Sequence, residues 1–300
     1  VAAGTKAAAK IKREDRSAQV EVYTKSNDIS YAGCGLPYYV GGDIETRDEL
    51  IVNSPEKFAA LTGAVVHIGE EATAVDVNAK TVVFRNTADG AQRSEAYDKL
   101  IIASGASPIV PAIDGVGLSG VFTVRTPDDA IAIRDYIEKN NCKKAVVVGA
   151  GFIGMEMAEN LMAQKLSVTV VDMTSQILPN ILDAEMAAYA ARQLRKSGLR
   201  IMTGAAVSAI TGDTAVSAVS TNAGELAADI VILSIGVRPA TAFLRDTGIE
   251  MIKGAIVVDE YQKTNIDDVY AVGDCAIVKN RITGEPQWSA MGSTANITAR

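Results

Sequence analysis

The chain has 300 residues, 48% of them apolar and 22% charged, with 25 glycines and 8 prolines. That composition belongs to a globular protein with material for more than one core, and no apolar run approaches the roughly 18 residues of a membrane span. Twenty-nine basic against 36 acidic residues leave a formal charge of -7, which speaks against nucleic acid or an anionic membrane as partner.

In chain order, residues 1–13 are expected to be the end of a small-residue turn entering an alanine-rich helix, with no strand before the turn. A short strand is predicted at 19–24, then a polar stretch from 24 to 33 that leads into a short helix at 35–41. Strand patterns follow at 64–68, 71–75 and 81–84, and an apolar strand at 99–103 ends in a Ser-Gly-Ala-Ser-Pro turn. Prolines and glycines between 108 and 120 punctuate a crossing. Beyond it come a helix at 128–138, a strand at 144–149, a helix at 153–165, a strand at 167–172, a helix at 183–197 and a strand at 199–203, the alternation of a parallel α/β unit. Short strands are expected within 205–233 and again at 257–262 and 268–273. A glycine-rich turn followed by βα alternation occurs twice, which makes the fold class α/β: two interleaved Rossmann-like domains with antiparallel β insertions. The expected boundaries are 1–117 plus 240–300 for one domain and 118–239 for the other.

Gly149-Ala-Gly151-Phe152-Ile153-Gly154 stands between a predicted strand and a predicted helix. A tight turn needs the first glycine, approach of backbone to a pyrophosphate needs the second, and close helix–strand packing needs the third. Asp172 ends the next strand, where a carboxylate can accept hydrogen bonds from both ribose hydroxyls and repel a 2′-phosphate. That pattern favours NADH over NADPH. The alternatives are a metabolite-binding or regulatory Rossmann domain for the turn and a plain surface acid for Asp172.

Cys34, Cys142 and Cys275 are too far apart for a disulfide framework or a CxxC motif, so a reducing, cytoplasmic setting is expected, and no secretory leader pattern opens the chain. One histidine, His67, rules out a multi-histidine metal site, and its apolar strand argues against catalysis. Cys34 stands between Gly33 and Gly35 at the start of a helix, where first-turn N–H groups favour a thiolate. Spacing alone favours an inert buried cysteine over a redox-active one. Cys142 and Cys275 are expected to be structural.

The motifs together resemble the single-cysteine branch of the pyridine nucleotide-disulfide oxidoreductases, the flavoproteins that include coenzyme A-disulfide reductase, coenzyme A persulfide reductase, NADH oxidase and NADH peroxidase. The resemblance runs through 1–4, 30–39, 102–108, 149–156, 235–239 and 270–276. It implies FAD bound through Gly4, Thr24, Lys25, Ala103, Ser104, Gly105, Gly273 and Asp274, and NADH through Gly149 to Gly154, Asp172 and Gly236. It implies a redox-active Cys34 with Glu156 nearby, and a substrate contacted by Arg13, Ser30 and Tyr38. The implied activity is FAD-dependent reduction of a coenzyme A disulfide or persulfide by NAD(P)H. The alternatives are an NADH oxidase that reduces oxygen to water, or a non-catalytic nucleotide-binding redox regulator. Several positions depart from the family: Thr24 replaces a glutamate, Gly33 replaces an asparagine of the coenzyme A-disulfide reductases, and no histidine occurs among 1–4, which ranks peroxidase lower. The strand before Gly4 and a C-terminal dimerisation domain, which would make the whole protein a homodimer, are expected to be missing from this chain.

Overall fold

The strand Lys144–Val148 is apolar along nearly its whole length because it is covered on both faces. Ala145 and Val147 pack into one core with Ile133, Met157, Leu161 and Ala187 from the helices Pro127–Asn140, Phe152–Ala163 and Ala184–Lys196. Val146 and Val148 point the other way, into a second core with Ile210, Val219 and Leu226 of the antiparallel strands Val207–Gly212, Val216–Thr221 and Gly224–Ala227. Burial on both faces is what a parallel strand requires. It is the central strand of a five-stranded parallel sheet in the order Val121–Phe122, Ile230–Leu233, Lys144–Val148, Ser167–Asp172, Arg200–Thr203. Each fully buried Val, Leu or Ile here contributes about 1.5–3 kcal/mol relative to exposure. The helix Pro127–Asn140 starts at a capping box: the Asp129 N–H donates to Thr126 Oγ1 at 3.2 Å, and the Thr126 N–H donates to Asp129 Oδ2 at 2.8 Å.

The computed structural model describes residues 1–300. The sheet just described lies in a unit of residues 32–50 and 108–237, and a second unit comprises 1–31, 51–107 and 238–300. Residues 32–50 thus lie in the unit of the Gly149 turn. The reason is packing: the short helix Leu36–Gly41 lies against the helices Pro127–Asn140 and Phe152–Ala163, and Leu36, Val40 and Leu50 are buried in their core.

The other unit holds the helix Ala2–Glu14, the parallel pair Glu21–Thr24 with Val65–Ile68, and the parallel pair Leu100–Ile102 with Val269–Ala271. An antiparallel sheet of Glu70–Asp76, Thr81–Asn86 and Gln92–Ala96 packs with them through Val75, Val82 and Phe84 against Ile102, Ile256 and Val269. Gly4 is already inside the first helix rather than in a turn before it. The strand expected at 257–262 ends at Val257, because Asp259 Oδ1 accepts from the N–H groups of Tyr261 and Lys263 at 2.8 and 2.9 Å and folds the chain into a turn. No helix is long and apolar enough to cross a membrane.

Asp268 ties two parts of this unit together, accepting from Lys80 Nζ at 2.6 Å and from Lys99 Nζ at 2.8 Å. Those two hydrogen bonds lower its pKa from 3.8 to about 2. A carboxylate whose pKa is depressed on folding contributes stability above its unfolded pKa and loses it as pH falls through the folded one. The urea midpoint of the native protein should therefore exceed that of Asp268→Asn at pH 7, and the gap should close between pH about 4 and about 2. A gap that persists at pH about 2 would rule out this linkage.

Candidate active site

Gly149 has φ +109°, which side chains rarely adopt, and a Cβ there would stand 2.4 Å from the Ser234 carbonyl oxygen. A Cβ on Gly154 would stand 2.0 Å from the Gly149 carbonyl oxygen, whereas Gly151 faces open space. Gly149 thus makes the tight turn and Gly154 the close packing, while Gly151 is open to its surroundings. Gly151 caps the helix Phe152–Ala163 without a side-chain hydrogen bond, and no acidic residue occupies its first turn. Its leading N–H groups can meet an anion, and Phe152 and Ile153 in that turn are exposed. These residues fit a dinucleotide pyrophosphate.

Asp172 ends its strand as expected but is already engaged. Its Oδ2 accepts from the Ala150 N–H at 2.6 Å, and its Oδ1 accepts from the N–H and Oγ1 of Thr174 at 2.7 and 2.6 Å. A carboxylate offers about four acceptor positions, so Asp172 has room for about one ribose hydroxyl rather than the expected two. Its negative charge beside exposed Met173 still disfavours a 2′-phosphate. Gly236 has φ +113°, and its carbonyl accepts from the Ile109 N–H at 3.0 Å.

Cys34 lies in the 3-10 turn Gly33–Gly35, directly before the helix Leu36–Gly41. Its thiol is exposed, whereas Cys142 and Cys275 are buried, which removes the inert-core reading for Cys34. Burial pushes the Cys142 thiol up, with the Asp229 charge adding to it. Burial also pushes up Cys275, whose Sγ donates to the carbonyls of Ile102 and Val272, each at 3.3 Å. Cys34 is the thiol suited to exchange, since reaction requires access as well as a thiolate. Glu156 sits on the helix that packs against the cysteine helix, half-buried, and its carboxyl is raised by burial and then by Glu159. Such a group keeps its proton to higher pH than a solvated acid does.

In the other unit, Gly4, Ala103 and Gly273, three of the residues expected to hold FAD, meet at the first turn of the helix Ala2–Glu14. A Cβ on Gly4 would lie 3.3 Å from Ala103 Cβ, and one on Gly273 would lie 2.7 Å from Ala3 Cβ. Gly105 and Gly273 both have positive φ. The helix has no side-chain cap and no acid in its first turn, so its leading N–H groups can meet an anionic group, while Gly4 and Gly273 let the backbone around that turn pack closely. Asp274 occupies the 3-10 turn Gly273–Cys275, and its carbonyl accepts from Trp288 Nε1 at 2.8 Å. These residues fit a flavin dinucleotide at its phosphates. At the end of the strand Glu21–Thr24, Thr24 Oγ1 accepts from the Ser26 N–H at 3.3 Å, and Lys25 Nζ is 3.8 Å from Glu71.

Of the residues implied to contact substrate, Arg13 is exposed in the last turn of the helix Ala2–Glu14, and Ser30 pairs with Asn53 in a short antiparallel ladder. Tyr38 is exposed on the cysteine helix. His67 is structural: its Nε2 is 3.1 Å from Glu21 Oε2, and its ring stacks on Tyr23 at 4.4 Å. Sequence reasoning missed Ser234, whose Oγ donates to the carbonyls of Val148 and Gly149 at 3.0 and 3.2 Å and so braces the glycine turn. Its only signal was its place at the end of an apolar strand, two residues before Gly236.

The pyridine nucleotide-disulphide oxidoreductase family matches residues 2–295. The chain belongs to this family. The family is FAD- and NAD(P)H-dependent. An NADH oxidase of Methanocaldococcus jannaschii is 39% identical, with 98% of this chain aligned to 65% of that protein. An NAD(P)H coenzyme A polysulfide/persulfide reductase of Pyrococcus horikoshii is 37% identical over the same shares. The structure of an NAD-dependent persulfide reductase from A. fulgidus superposes with a TM-score of 0.95 at 35% identity, covering 99% of this chain and 56% of that one. The chain thus spans about 65% of the length of these curated relatives.

The oxidoreductase turn gives a direct expectation. Gly149→Ala places a methyl against the Ser234 carbonyl at a left-handed φ, which should destabilise the protein by about 1–3 kcal/mol and weaken NADH binding at least about tenfold. Thermal melts and NADH titration by fluorescence check both, and native-like affinity would contradict this account of the turn.

Proposed function

We propose that this chain is the nucleotide- and thiol-bearing part of an FAD-dependent NADH oxidoreductase that reduces a coenzyme A disulfide or persulfide through Cys34. The observation that carries the reading is the exposed Cys34 turn, packed through its helix onto the helix that starts in the Gly149–Gly154 turn and bears Glu156. Relatives named for reduction of coenzyme A persulfide and polysulfide support the substrate class. Gly149, Gly151, Gly154 and Asp172 would hold NADH; Gly4, Ala103 to Gly105, Gly273 and Asp274 would hold FAD. Bound FAD would supply two-electron transfer between nicotinamide and sulfur, chemistry that side chains do not provide.

The Cys34 thiolate attacks one sulfur of the substrate disulfide; a Cys34–substrate S–S bond forms, the substrate S–S bond breaks, and one thiol leaves after taking a proton. The electron pair taken from NADH cleaves the new bond, which returns Cys34 to the thiolate and releases the second substrate sulfur as a thiol once it takes a proton. The net change is NADH, a proton and one disulfide converted to NAD+ and two thiols. Glu156, with its carboxyl raised by burial, is suited to hold a proton beside these sulfur steps. A cytoplasmic homodimer completes the proposal, supported by the likeness of the motifs to those of the single-cysteine branch. A second reading, reduction of oxygen to water, is supported by the relative named NADH oxidase.

Anaerobic NADH titration of the whole protein, followed by visible absorbance with free thiols counted, separates the readings. On protein first treated with coenzyme A disulfide and freed of the excess, bleaching of a flavin band with gain of two thiols, Cys34 and the released substrate thiol, is expected, and so is faster NADH consumption on adding coenzyme A disulfide; Cys34→Ser should lose the thiol gain. Flavin bleaching with no thiol gain and no response to the disulfide would assign the protein to oxygen reduction. Absence of any flavin band would reduce it to a nucleotide-binding module. For coenzyme choice, Asp172→Ala combined with Met173→Arg removes a carboxylate and adds a phosphate partner. It should raise KM for NADH and lower KM for NADPH by about tenfold each, and an unchanged preference would remove Asp172 from the ribose site.

A further inference from the structure

The helix Leu36–Gly41 is too short to hold its own shape in water, and the carbonyls at its end have no partners within the helix. Arg134, from the helix Pro127–Asn140, reaches that end. Its Nη1 donates to the carbonyls of Tyr39 at 3.4 Å, Ile44 at 3.4 Å and Glu45 at 3.3 Å, and its guanidinium lies 5.0 Å from the centre of the Tyr39 ring. A cation beside the C-terminal carbonyls of a helix is also favoured by the helix dipole. Asn160 of the helix Phe152–Ala163 and Gln164 directly after it grip Gly41. Gln164 Nε2 donates to the Gly41 carbonyl at 2.7 Å, and buried Asn160, which donates to the Glu156 carbonyl at 2.8 Å, stands so close that a Gly41 Cβ would lie 2.1 Å from its Oδ1.

The grip reaches the thiol through Ile44. A Cβ on Gly35, the residue after Cys34, would lie 3.0 Å from Ile44 Cδ1 and 3.1 Å from Leu50 Cδ2. The backbone that Arg134 holds at Ile44 therefore carries the side chain that boxes in the cysteine turn. Gly42, at φ +94°, allows its own N–H and those of Asp43 and Ile44 to converge on the Tyr38 carbonyl, so the segment has little slack.

We propose that Arg134 is a positioning residue for Cys34: it clasps residues 39–45 and, with Gln164 and Asn160 against Gly41, fixes where the thiol stands relative to the helix bearing Glu156. The inference rests on Cys34 as the redox thiol. Arg134 touches no reacting atom in this account and acts through Ile44 and the cysteine helix.

The test uses the whole flavin-loaded protein with Arg134→Met, Arg134→Lys and Gln164→Leu, read by amide hydrogen exchange and by kinetics with coenzyme A disulfide. In Arg134→Met, exchange across 33–45 should quicken about tenfold while the strand Lys144–Val148 keeps its protection, about the factor expected for loss of one charge-assisted hydrogen bond. Turnover should fall by a similar factor with KM for NADH unchanged. Arg134→Lys should recover part of both, because an ammonium keeps the charge without the fork. Unchanged exchange at 33–45, faster exchange with full turnover, or a loosening shared by Lys144–Val148 would each overturn the proposal. Should Arg134→Met not fold, native protection of 33–45 in Gln164→Leu overturns it in the same way. Full turnover in Cys34→Ser would instead sink the redox reading, and the exchange data would still report whether the grip exists.

Discussion

Three backbone segments meet where the Gly149 turn, the start of the helix Phe152–Ala163 and the end of the strand Ile230–Leu233 approach within van der Waals contact. No side chain fits at Gly149 or Gly154, so this junction is held by what surrounds it. Ser234 hydroxyl donation to two carbonyls and Asp172 acceptance from the Ala150 N–H brace it locally. The two cores on either face of Lys144–Val148 hold it globally. The benefit is chemical: a helix start with neither a side-chain cap nor an acid in its first turn leaves backbone donors for an anion.

The same residue types acquire different chemistry from their surroundings. Three thiols share one chain, but two are buried with raised pKa and only Cys34 is open to solvent. Among the acids, Asp268 is held ionised far into acid by two lysines, whereas Glu156 is pushed toward its protonated form by burial. These opposite shifts follow from the two physical causes, opposite charge at hydrogen-bond distance and loss of solvent. Asp172 shows a third case, in which acceptor capacity rather than charge is limiting, because the loop after it already uses most of the carboxylate.

Much of the fold was legible because the signals were local. The βα alternation from 144 to 203 has strands with mainly apolar centres and a helix at 184–196 with clear periodicity, and the glycines of 149–154 stand at a strand–turn–helix junction where Gly149 and Gly154 have no space for a side chain. What the sequence hid was tertiary. Nothing local says that 32–50 packs with the helices at 127–140 and 152–163, since Leu36, Val40 and Leu50 would suit any core. Ser234, Asn160 and Arg134 are ordinary residues by type, and their contacts lie dozens of positions away in sequence. The exposure of Cys34 was equally invisible, because glycine neighbours are compatible with a buried turn or an open one.

A reactive thiol must satisfy two demands that pull apart: access to solvent and a fixed position. Exposed loops grant the first and usually forfeit the second. The segment 32–50 meets both by dividing its faces. Leu36, Val40 and Leu50 are almost wholly buried on one side, while Cys34 and Tyr38 remain exposed. A helix of two turns has too little hydrogen bonding of its own to set that geometry, so its order is drawn from two much longer helices. One of those helices begins in the Gly149–Gly154 turn and carries Glu156. Precision at the glycine turn and precision at the thiol are therefore set by the same helix, and a change in its packing would disturb both together.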